Sequence, residues 1–419
     1  MVRIACTAAV VAGAIALVVP VPRRKVLLLP AGVTEVRSEI LVKGGTEVRG
    51  ARSGSVLRAA NAFSGRAVIV VGGDSVLLRD FTIDGNREAL ETRSGLPPSN
   101  VPFARFARNN GVLAEGVGGL VIERVRFREI AGFAVLGSRS RKVAIEAVQV
   151  VDSGSRNAAG RNNTTGGILF EEGATDFRVA GSLFRNIRGN GLWTHSLYTS
   201  PRSALGRFAR NRFENIGRDA IQVGHATDVR VEENSGVHIG FPAGEVDIEN
   251  LALPVGIDTA GNVERCSYSR NRFREINGKC IDLDGFHDGE VRGNVCIALG
   301  NFGIVMNDSN PDMQSRNIRI QDNLVDGAAF GGIFVIGTGH RIERNRLLNL
   351  NTGHYPGEPD ILRSGIYLGN GAERPAPARA NVIERNVITG FEMDRRCIGR
   401  APGIRPSWNT VRANVCGVR

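Results

Sequence analysis

Short apolar patches separated by turn residues recur along this chain, and they predict strands. Each repeat opens with Gly followed by Ile or Val, continues with alternating apolar and polar residues, and closes with an Asn-containing turn and another apolar pair. The repeat is clear in the segments 166–189, 218–240, 255–278, 279–300 and 331–351. Beyond the first twenty residues, the chain never sustains the i, i+3, i+4, i+7 spacing of an amphipathic helix.

The repeat length decides the architecture. Each unit of 22–24 residues holds three short strands, which cannot bury an apolar face alone, so neighbouring units must stack. Parallel stacking at about 4.8 Å pairs the backbone groups and fills a continuous interior with the inward side chains. We therefore predict an all-β protein, a right-handed single-stranded parallel β-helix of about a dozen coils with loop insertions. The LxxLxL runs of a leucine-rich horseshoe and the longer period of a β-propeller are absent.

Eight asparagines fall at equivalent turn positions in successive repeats. Asn tolerates the left-handed backbone conformation and can hydrogen-bond to its counterpart one coil away. We assign these residues a structural role: Asn211, Asn234, Asn271, Asn294, Asn323, Asn345, Asn386 and Asn414.

Residues 27–57, with the LPAG turn at 29–32, and the segment VLLRDFTIDGN at 76–86 resemble the N-terminal coils of the pectate lyase and polygalacturonase superfamily. The resemblance spans about residues 26–416 and implies the pectin lyase fold. GID at 256–258 and GKCIDLDG at 278–285 are similar to the polygalacturonase pattern of one Asp followed by an Asp pair. The acids that this family places before its Cys are replaced here by Gly278 and Lys279, and its Gly-His-Gly and Arg-Ile-Lys motifs have no counterpart.

Insertions interrupt the repeat at two points of its cycle only. Residues 86–110, 155–165, 241–254 and 352–363 precede a Gly-Ile strand, whereas residues 196–206, 307–316 and 370–379 follow one. Loops on both rims of one sheet predict a groove whose floor is the outward face of the Gly-Ile strands.

Alternation identifies the floor residues, because the residue after each inward Ile and the residue two positions further on point outward. Acids lie in the middle of the predicted floor, and aromatic residues lie toward both ends. The candidate substrate-binding residues are Trp193, His195, Gln222, His225, Asn307, Phe334 and Tyr367, with Val305 between them. The candidate catalytic residues are Asp258, Asp282, Asp284, His287 and Asp288.

Three interpretations of the acids remain open. Asp258 and Asp282 should lie about 5 Å apart on adjacent coils, with Asp284 roughly 8 Å from Asp258. In a hydrolase, one acid would protonate the glycosidic oxygen while another activates water from the far side, at a separation of about 6.5–9.5 Å that suits inversion. In a lyase or epimerase, the acids would hold Ca²⁺ against a uronate, with Lys279 among the candidate bases. In a structural or binding protein, the acids would only solvate a face.

Charge points to the partner. The net charge is +11, from 49 Arg and 4 Lys against 42 acidic residues, and it is spread along the chain. A GC-rich genome explains the Arg excess, but attraction to an acidic, uronic-acid-containing polysaccharide explains it as well. Nucleic-acid-binding motifs are absent, so we expect no nucleic-acid partner, and we expect a monomer.

The first twenty residues and the cysteines indicate an exported protein. Residues 1–20 read as a signal peptide, with Arg3 before an apolar stretch and a small-x-small site at 14–16, which leaves residues 21–419 as a single domain. A cap for the β-helix or an uncleaved anchor are the alternatives. We expect a secreted or periplasmic protein with no stable membrane insertion after cleavage. Cys397 is predicted to pair with Cys416, and Cys280 with either Cys266 or Cys296, leaving one free thiol.

Overall fold

The computed structural model describes residues 24–246, 254–309, 313–355, 363–371 and 374–417. Within these ranges the chain winds as a parallel β-helix, because each strand pairs in parallel with the strands one coil before and after it. The predicted fold is confirmed. The predicted signal peptide, residues 1–20, lies outside the described residues.

Each coil contributes a strand to each of three sheets. The first sheet contains the Gly-Ile strands and is the one that the sequence predicts as the groove floor. Its strands are Asn110–Glu115, Phe133–Ser138, Gly166–Glu171, Leu192–His195, Ile221–Thr227, Val255–Glu264, Lys279–Asp284, Ile304–Asn307, Ile333–Val335, Ile366–Leu368 and Ile398–Arg400.

The second sheet follows the first in every coil. Its strands are Lys25–Leu28, Thr46–Arg49, Leu77–Arg79, Val121–Glu123, Arg141–Glu146, Thr175–Ala180, Ser203–Ala209, Arg230–Glu232, Ser267–Ser269, Glu290–Arg292, Arg319–Gln321, Arg341–Glu343, Val382–Glu384 and Thr410–Arg412, with Phe286–His287 at its corner with the first sheet.

The third sheet leads back into the first. Two long strands, Gly32–Val42 and Ser55–Val71, run from the third sheet into the first. The other strands of the third sheet are Thr82–Asp84, Arg126–Arg128, Gln149–Ser153, Leu183–Ile187, Arg212–Ile216, Ser235–Ile239, Arg272–Ile276, Val295–Leu299, Leu324–Ala328, Arg346–Leu350, Val387–Gly390 and Val415–Gly417.

Short helices lie outside the coils. Two come from the insertion 86–110 (Arg87–Leu90 and Phe103–Phe106), and a third is Met393–Arg396. Two 3₁₀ turns are Ala243–Glu245 and Pro406–Trp408. In the part of the chain that is described, no helix has the length and apolar content to span a bilayer.

Stacked apolar side chains fill the interior from coil to coil. Phe170 stacks on Phe177 within one coil, with ring centroids 4.4 Å apart, and Phe184 stacks on Phe213 of the next coil at 5.1 Å. The asparagine ladder forms as predicted in the turn between the second and third sheets. Asn234 Nδ2 donates to Asn271 Oδ1 at 2.9 Å and to the Phe208 carbonyl at 2.9 Å, and its neighbours repeat the pattern. This arrangement satisfies the buried amides of the coils between Asn211 and Asn414.

Two disulfides connect first-sheet strands to the third sheet. They join Cys280 to Cys296 and Cys397 to Cys416, and Cys266 is a buried free thiol. The second bond confirms the sequence prediction, and the first decides between its two alternatives. Disulfides are typical of proteins that fold in an oxidising compartment.

Candidate functional site

One outward row of side chains crosses the first sheet, one residue per coil. Strand register places its members side by side in the order Val70, Leu113, Leu136, Leu169, Trp193, Gln222, Asp258, Asp282, Val305, Phe334 and Tyr367. The row is apolar at its N-terminal end, polar in the middle and aromatic at its C-terminal end. The structure thus brings together the outward residues that the alternation predicts.

The insertion 86–110 covers the N-terminal part of the row. The Phe103 ring lies 4.9 Å from Trp193 and 5.6 Å from Phe133, both edge-on, and these rings form an apolar cluster outside the β-helix interior. Trp193 is consequently only 6% exposed. A residue predicted to stack on a sugar is therefore held beneath a helix of its own chain.

Aromatic residues at the C-terminal end of the row are also packed. Phe334 and Tyr367 are 3% and 9% exposed, and their rings stack at 6.1 Å. Asn307, on the neighbouring coil, accepts the Asp308 N–H with its own side chain at 3.0 Å. The middle of the row is therefore where polar groups reach the surface.

Gln222 and Asp258 form the centre of the polar stretch. Gln222 Nε2 donates to Asp258 Oδ2 at 2.6 Å, and its Oε1 accepts from Asn190 Nδ2 at 2.8 Å. Both Gln222 and Asp258 are half-buried. This chain of hydrogen bonds fixes the orientation of the Asp258 carboxyl group.

Two further charged residues lie in the site. Sequence reasoning had proposed Lys279 as a candidate base but had not singled out Asp219. Asp219 is buried and accepts the Val255 N–H at 2.8 Å, whereas Lys279 Nζ forms an ion pair with Asp282. Both lie two residues before an inward Ile, where most coils carry a small or apolar residue. A coil-by-coil comparison of that position would have found them. We call Asn190, Asp219, Gln222, Asp258, Lys279 and Asp282 the acid cluster.

Burial and mutual repulsion shift the protonation equilibria of the acid cluster. Burial raises the pKa of Asp258 well above its usual value, and the neighbouring Asp219 and Asp282 carboxylates raise it further. Burial also raises the pKa of Asp219, to about 6. Burial alone would lower the pKa of Lys279, but the Asp282 carboxylate outweighs it and raises that pKa. Asp282 Oδ1 is buried and has no hydrogen-bond partner within the described residues.

Asp284 belongs to the rim rather than to the acid cluster. Its Oδ1 accepts the Ser309 N–H at 2.8 Å and its Oδ2 the Ser309 hydroxyl, and the Ser309 carbonyl in turn accepts from Arg374 at 2.9 Å. Asp284 therefore anchors the extension 307–316. Asp258, Asp282 and Asp284 do not form a group in which three ligand atoms lie within 4.8 Å of one another, so no compact three-carboxylate group supports the Ca²⁺ interpretation.

His287 and Asp288 lie at the corner with the second sheet. His287 Nδ1 is 2.8 Å from Asp288 Oδ2, and its Nε2 is 3.0 Å from Asn262 Oδ1. Arg316 pairs with Asp288 at 3.0 Å. Both ring nitrogens of His287 therefore have a polar partner. In the acid cluster, by contrast, Asp282 Oδ1 has none among the described residues.

His195 and His225 lie toward the N-terminal end of the first sheet, beside Glu171 and Glu172. Burial lowers the pKa of His195 to about 4, and it also lowers the pKa of His225. Burial raises the pKa of Glu171 to about 7. This region is a second concentration of titratable groups, on the coils that precede the acid cluster.

A large cavity lies elsewhere, on the third sheet. It measures about 1240 Å³, and most of the residues along its floor are polar and have left-handed backbone conformation. We call it the third-sheet trough. Side chains along it pair with one another, Asn215 with Asn186 at 2.9 Å and His238 with Glu275 at 2.7 Å. We take the acid cluster as the candidate site, because three carboxyl groups there, those of Asp219, Asp258 and Asp282, share a single lysine.

Comparison with known proteins agrees with this architecture. Residues 202–347 match the family model described as a right handed beta helix region. The chain is a right-handed parallel β-helix. No curated protein sequence matches it.

Several solved structures resemble this β-helix along most of its length. The periplasmic alginate epimerase AlgG is similar with a TM-score of 0.57 and 14% identity, over 93% of this chain and 79% of the epimerase. A GH87 alpha-1,3-glucanase catalytic domain gives 0.54 and 13%, over 93% of this chain and 64% of the glucanase, so the chain spans less than two thirds of that domain. PfbA, a surface adhesin of Streptococcus pneumoniae, gives 0.50 and 12%, over 85% and 83%. At these identities the likeness is one of fold.

Proposed function

We propose that this protein is an exported enzyme that acts on an acidic polysaccharide, with the acid cluster as its catalytic centre. The observation that carries the proposal is the contrast between two carboxyl groups on adjacent coils. Asp258 has a raised pKa, whereas Asp282 is ion-paired with Lys279. Two neighbouring acids held in different environments are the arrangement that general acid–base catalysis uses.

Glycosidic bond hydrolysis fits this pair best. Protonated Asp258 would donate its proton to the departing glycosidic oxygen, oriented by the hydrogen bond from Gln222. Asp282 would act as the partner carboxylate, and adjacent coils separate such groups by about 5 Å, the spacing of retaining glycosidases. In the free protein, a proton on Asp258 would also supply the donor that buried Asp282 Oδ1 lacks.

The acidic substrate is proposed from charge. The chain carries +11, and the cluster itself offers a lysine beside its acids. Opposite charge raises the local concentration of a polyanion at the surface. The two disulfides and the predicted signal peptide support a place outside the cytoplasm, where such polymers occur.

A panel of uronic-acid and neutral polysaccharides tests the proposal. New reducing ends without ultraviolet-absorbing products would support hydrolysis, and an unsaturated product would instead identify a lyase. A change of sugar configuration without chain cleavage would identify an epimerase, the activity named for AlgG. Binding without any product would favour a non-catalytic glycan-binding role, as the likeness to the adhesin PfbA allows.

A further inference from the structure

Three potential metal ligands converge at the N-terminal end of the first sheet, away from the acid cluster. Glu171 and His195 are register partners on adjacent coils, and Glu172 follows Glu171 in the chain. One ligand atom from each of the three residues lies within 4.8 Å of the others. Glu171 and Glu172 are buried and His195 is half-buried, so the three groups face one another in a space that is largely screened from solvent.

The histidine of this group has an open coordinating atom. His195 Nδ1 is buried and has no hydrogen-bond partner among the described residues, and the same holds for Nδ1 of His225 on the next coil. Buried polar atoms in proteins are rarely left without a partner. The Nδ1 atom of His195, beside two carboxylates, is therefore available to coordinate a cation.

Hydrogen bonds from neighbouring loops hold both carboxylates in place. Glu171 accepts the N–H groups of Phe103 and Ala104, each at 2.8 Å, and Glu172 accepts the Leu197 N–H at 2.8 Å and the Ser200 hydroxyl. Each carboxylate oxygen keeps a second lone pair. Hydrogen bonds of this kind fix the orientation of metal ligands.

Charge compensation separates this group from the other three-ligand group in the described chain, Glu264, His287 and Asp288. There, Arg202 pairs with Glu264 at 3.1 Å and Arg316 with Asp288 at 3.0 Å. Neither Glu171 nor Glu172 has an ion-pair partner in the described part of the chain. The two groups thus share ligand types, but only the first lacks cationic side chains at its carboxylates.

We propose that Glu171, Glu172 and His195 bind one divalent transition-metal ion. One imidazole nitrogen and two carboxylate oxygens suit Zn²⁺ or Mn²⁺, whereas Ca²⁺ prefers a full set of oxygen ligands. The ion would fasten two loops to the first sheet, because Glu171 holds the helix Phe103–Phe106 and Glu172 holds the extension 196–206. The site is independent of the proposed glycan chemistry.

Isothermal titration of the chelator-treated full chain with Zn²⁺, Mn²⁺ and Ca²⁺ tests this. We expect one Zn²⁺ or Mn²⁺ per chain, weaker Ca²⁺ binding, and a Tm that rises with the concentration of the bound ion. His195→Asn and, separately, Glu172→Gln should weaken binding at least about 10-fold, which is the lower end of what outer-shell changes alone cause.

His287→Asn is the matched control, because it alters the compensated group, and it should leave the affinity unchanged. The proposal is overturned if the native chain binds neither Zn²⁺ nor Mn²⁺, if both ligand variants bind as the native chain does, or if His287→Asn abolishes binding. Circular dichroism of each variant without metal separates loss of a ligand from loss of fold.

Discussion

The acid cluster and the third-sheet trough are both polar rows that run along the β-helix axis, yet they treat charge in opposite ways. In the trough, neighbours pair from coil to coil: Asn186 donates to Asp152 at 2.7 Å, Asn215 to Asn186, and His238 contacts Glu275. In the acid cluster, Asp219, Asp258 and Asp282 gather around a single lysine.

This difference in charge pairing indicates where a functional site is to be expected on a repeat scaffold. Stacked coils make long polar rows easily, and a row whose members satisfy one another needs no ligand to explain it. Like charges in a half-buried row cost stability, so they are expected where function requires them. Cavity volume alone would have favoured the trough as the functional site, whereas the excess of carboxyl groups over cationic side chains favours the acid cluster.

The largest expected effect concerns activity. Asp258→Asn should lower the turnover of a polysaccharide substrate by about 100-fold or more, because it removes the proposed proton donor. Measured by product formation at saturating substrate, Glu275→Gln in the trough serves as the control and should retain native turnover. Equal losses in both variants would contradict the distinction between the two rows.

Activity should also depend on pH in a particular direction. Since burial raises the pKa of Asp258, turnover should fall as the pH rises through that raised pKa, and this fall should lie well above the pH at which an ordinary aspartate titrates. A pH–rate profile measures this. A basic limb that does not move to lower pH in Asp219→Asn would show that the Asp219 carboxylate does not tune the acid.

The next effect is on stability. Lys279→Met leaves the mostly buried Asp282 carboxylate without its cation, and breaking a buried pair in this way costs about 3 kcal/mol. Denaturant unfolding of the single variant and of Lys279→Met with Asp282→Asn measures it. The double variant should recover most of the loss, and a double variant as unstable as the single one would argue against the pairing.

A smaller stability effect depends on pH through Asp219. Its folded pKa of about 6 exceeds the ordinary value of 3.8, so the folded state binds this proton more tightly than the unfolded state. The associated stability is complete below about pH 4 and is lost as the pH rises through about 6, a total of about 3 kcal/mol as an upper figure. Asp219→Asn keeps an acceptor for the Val255 N–H and should remove this loss. Parallel Tm–pH curves for the two proteins would exclude it.

The smallest effect is expected in the trough. Asn215→Ala removes exposed hydrogen bonds to Asn186 and His238, which should cost less than about 1 kcal/mol and leave polysaccharide turnover unchanged. Thermal unfolding measures the cost. A large loss of polysaccharide binding in this variant would instead make the trough the substrate site.

The fold could be predicted almost completely from the sequence, because the repeat period and the asparagine positions constrain successive coils in the same way. The sequence also predicts the outward row, since alternation alone places Gln222, Asp258 and Asp282 side by side. The burial of Trp193 could not be predicted from the sequence, because no local pattern shows where the insertion 86–110 will pack. The ion pair of Lys279 with Asp282 and the hydrogen bonds from Ser309 to Asp284 could not be predicted either. Each depends on how a side chain is oriented toward a neighbour, which alternation along a strand does not determine.

The two disulfides have a mechanical consequence. Cys280–Cys296 and Cys397–Cys416 each join the first-sheet and third-sheet parts of a single coil, which closes a covalent ring one turn long. Neither bond connects neighbouring coils, so a chain pulled from its C-terminal side can still detach coil by coil, but each disulfide-bonded coil must leave as a closed ring. Under oxidising conditions the residues between the two cysteines of such a coil should therefore stay unextended under force, whereas a reducing agent would allow them to extend fully.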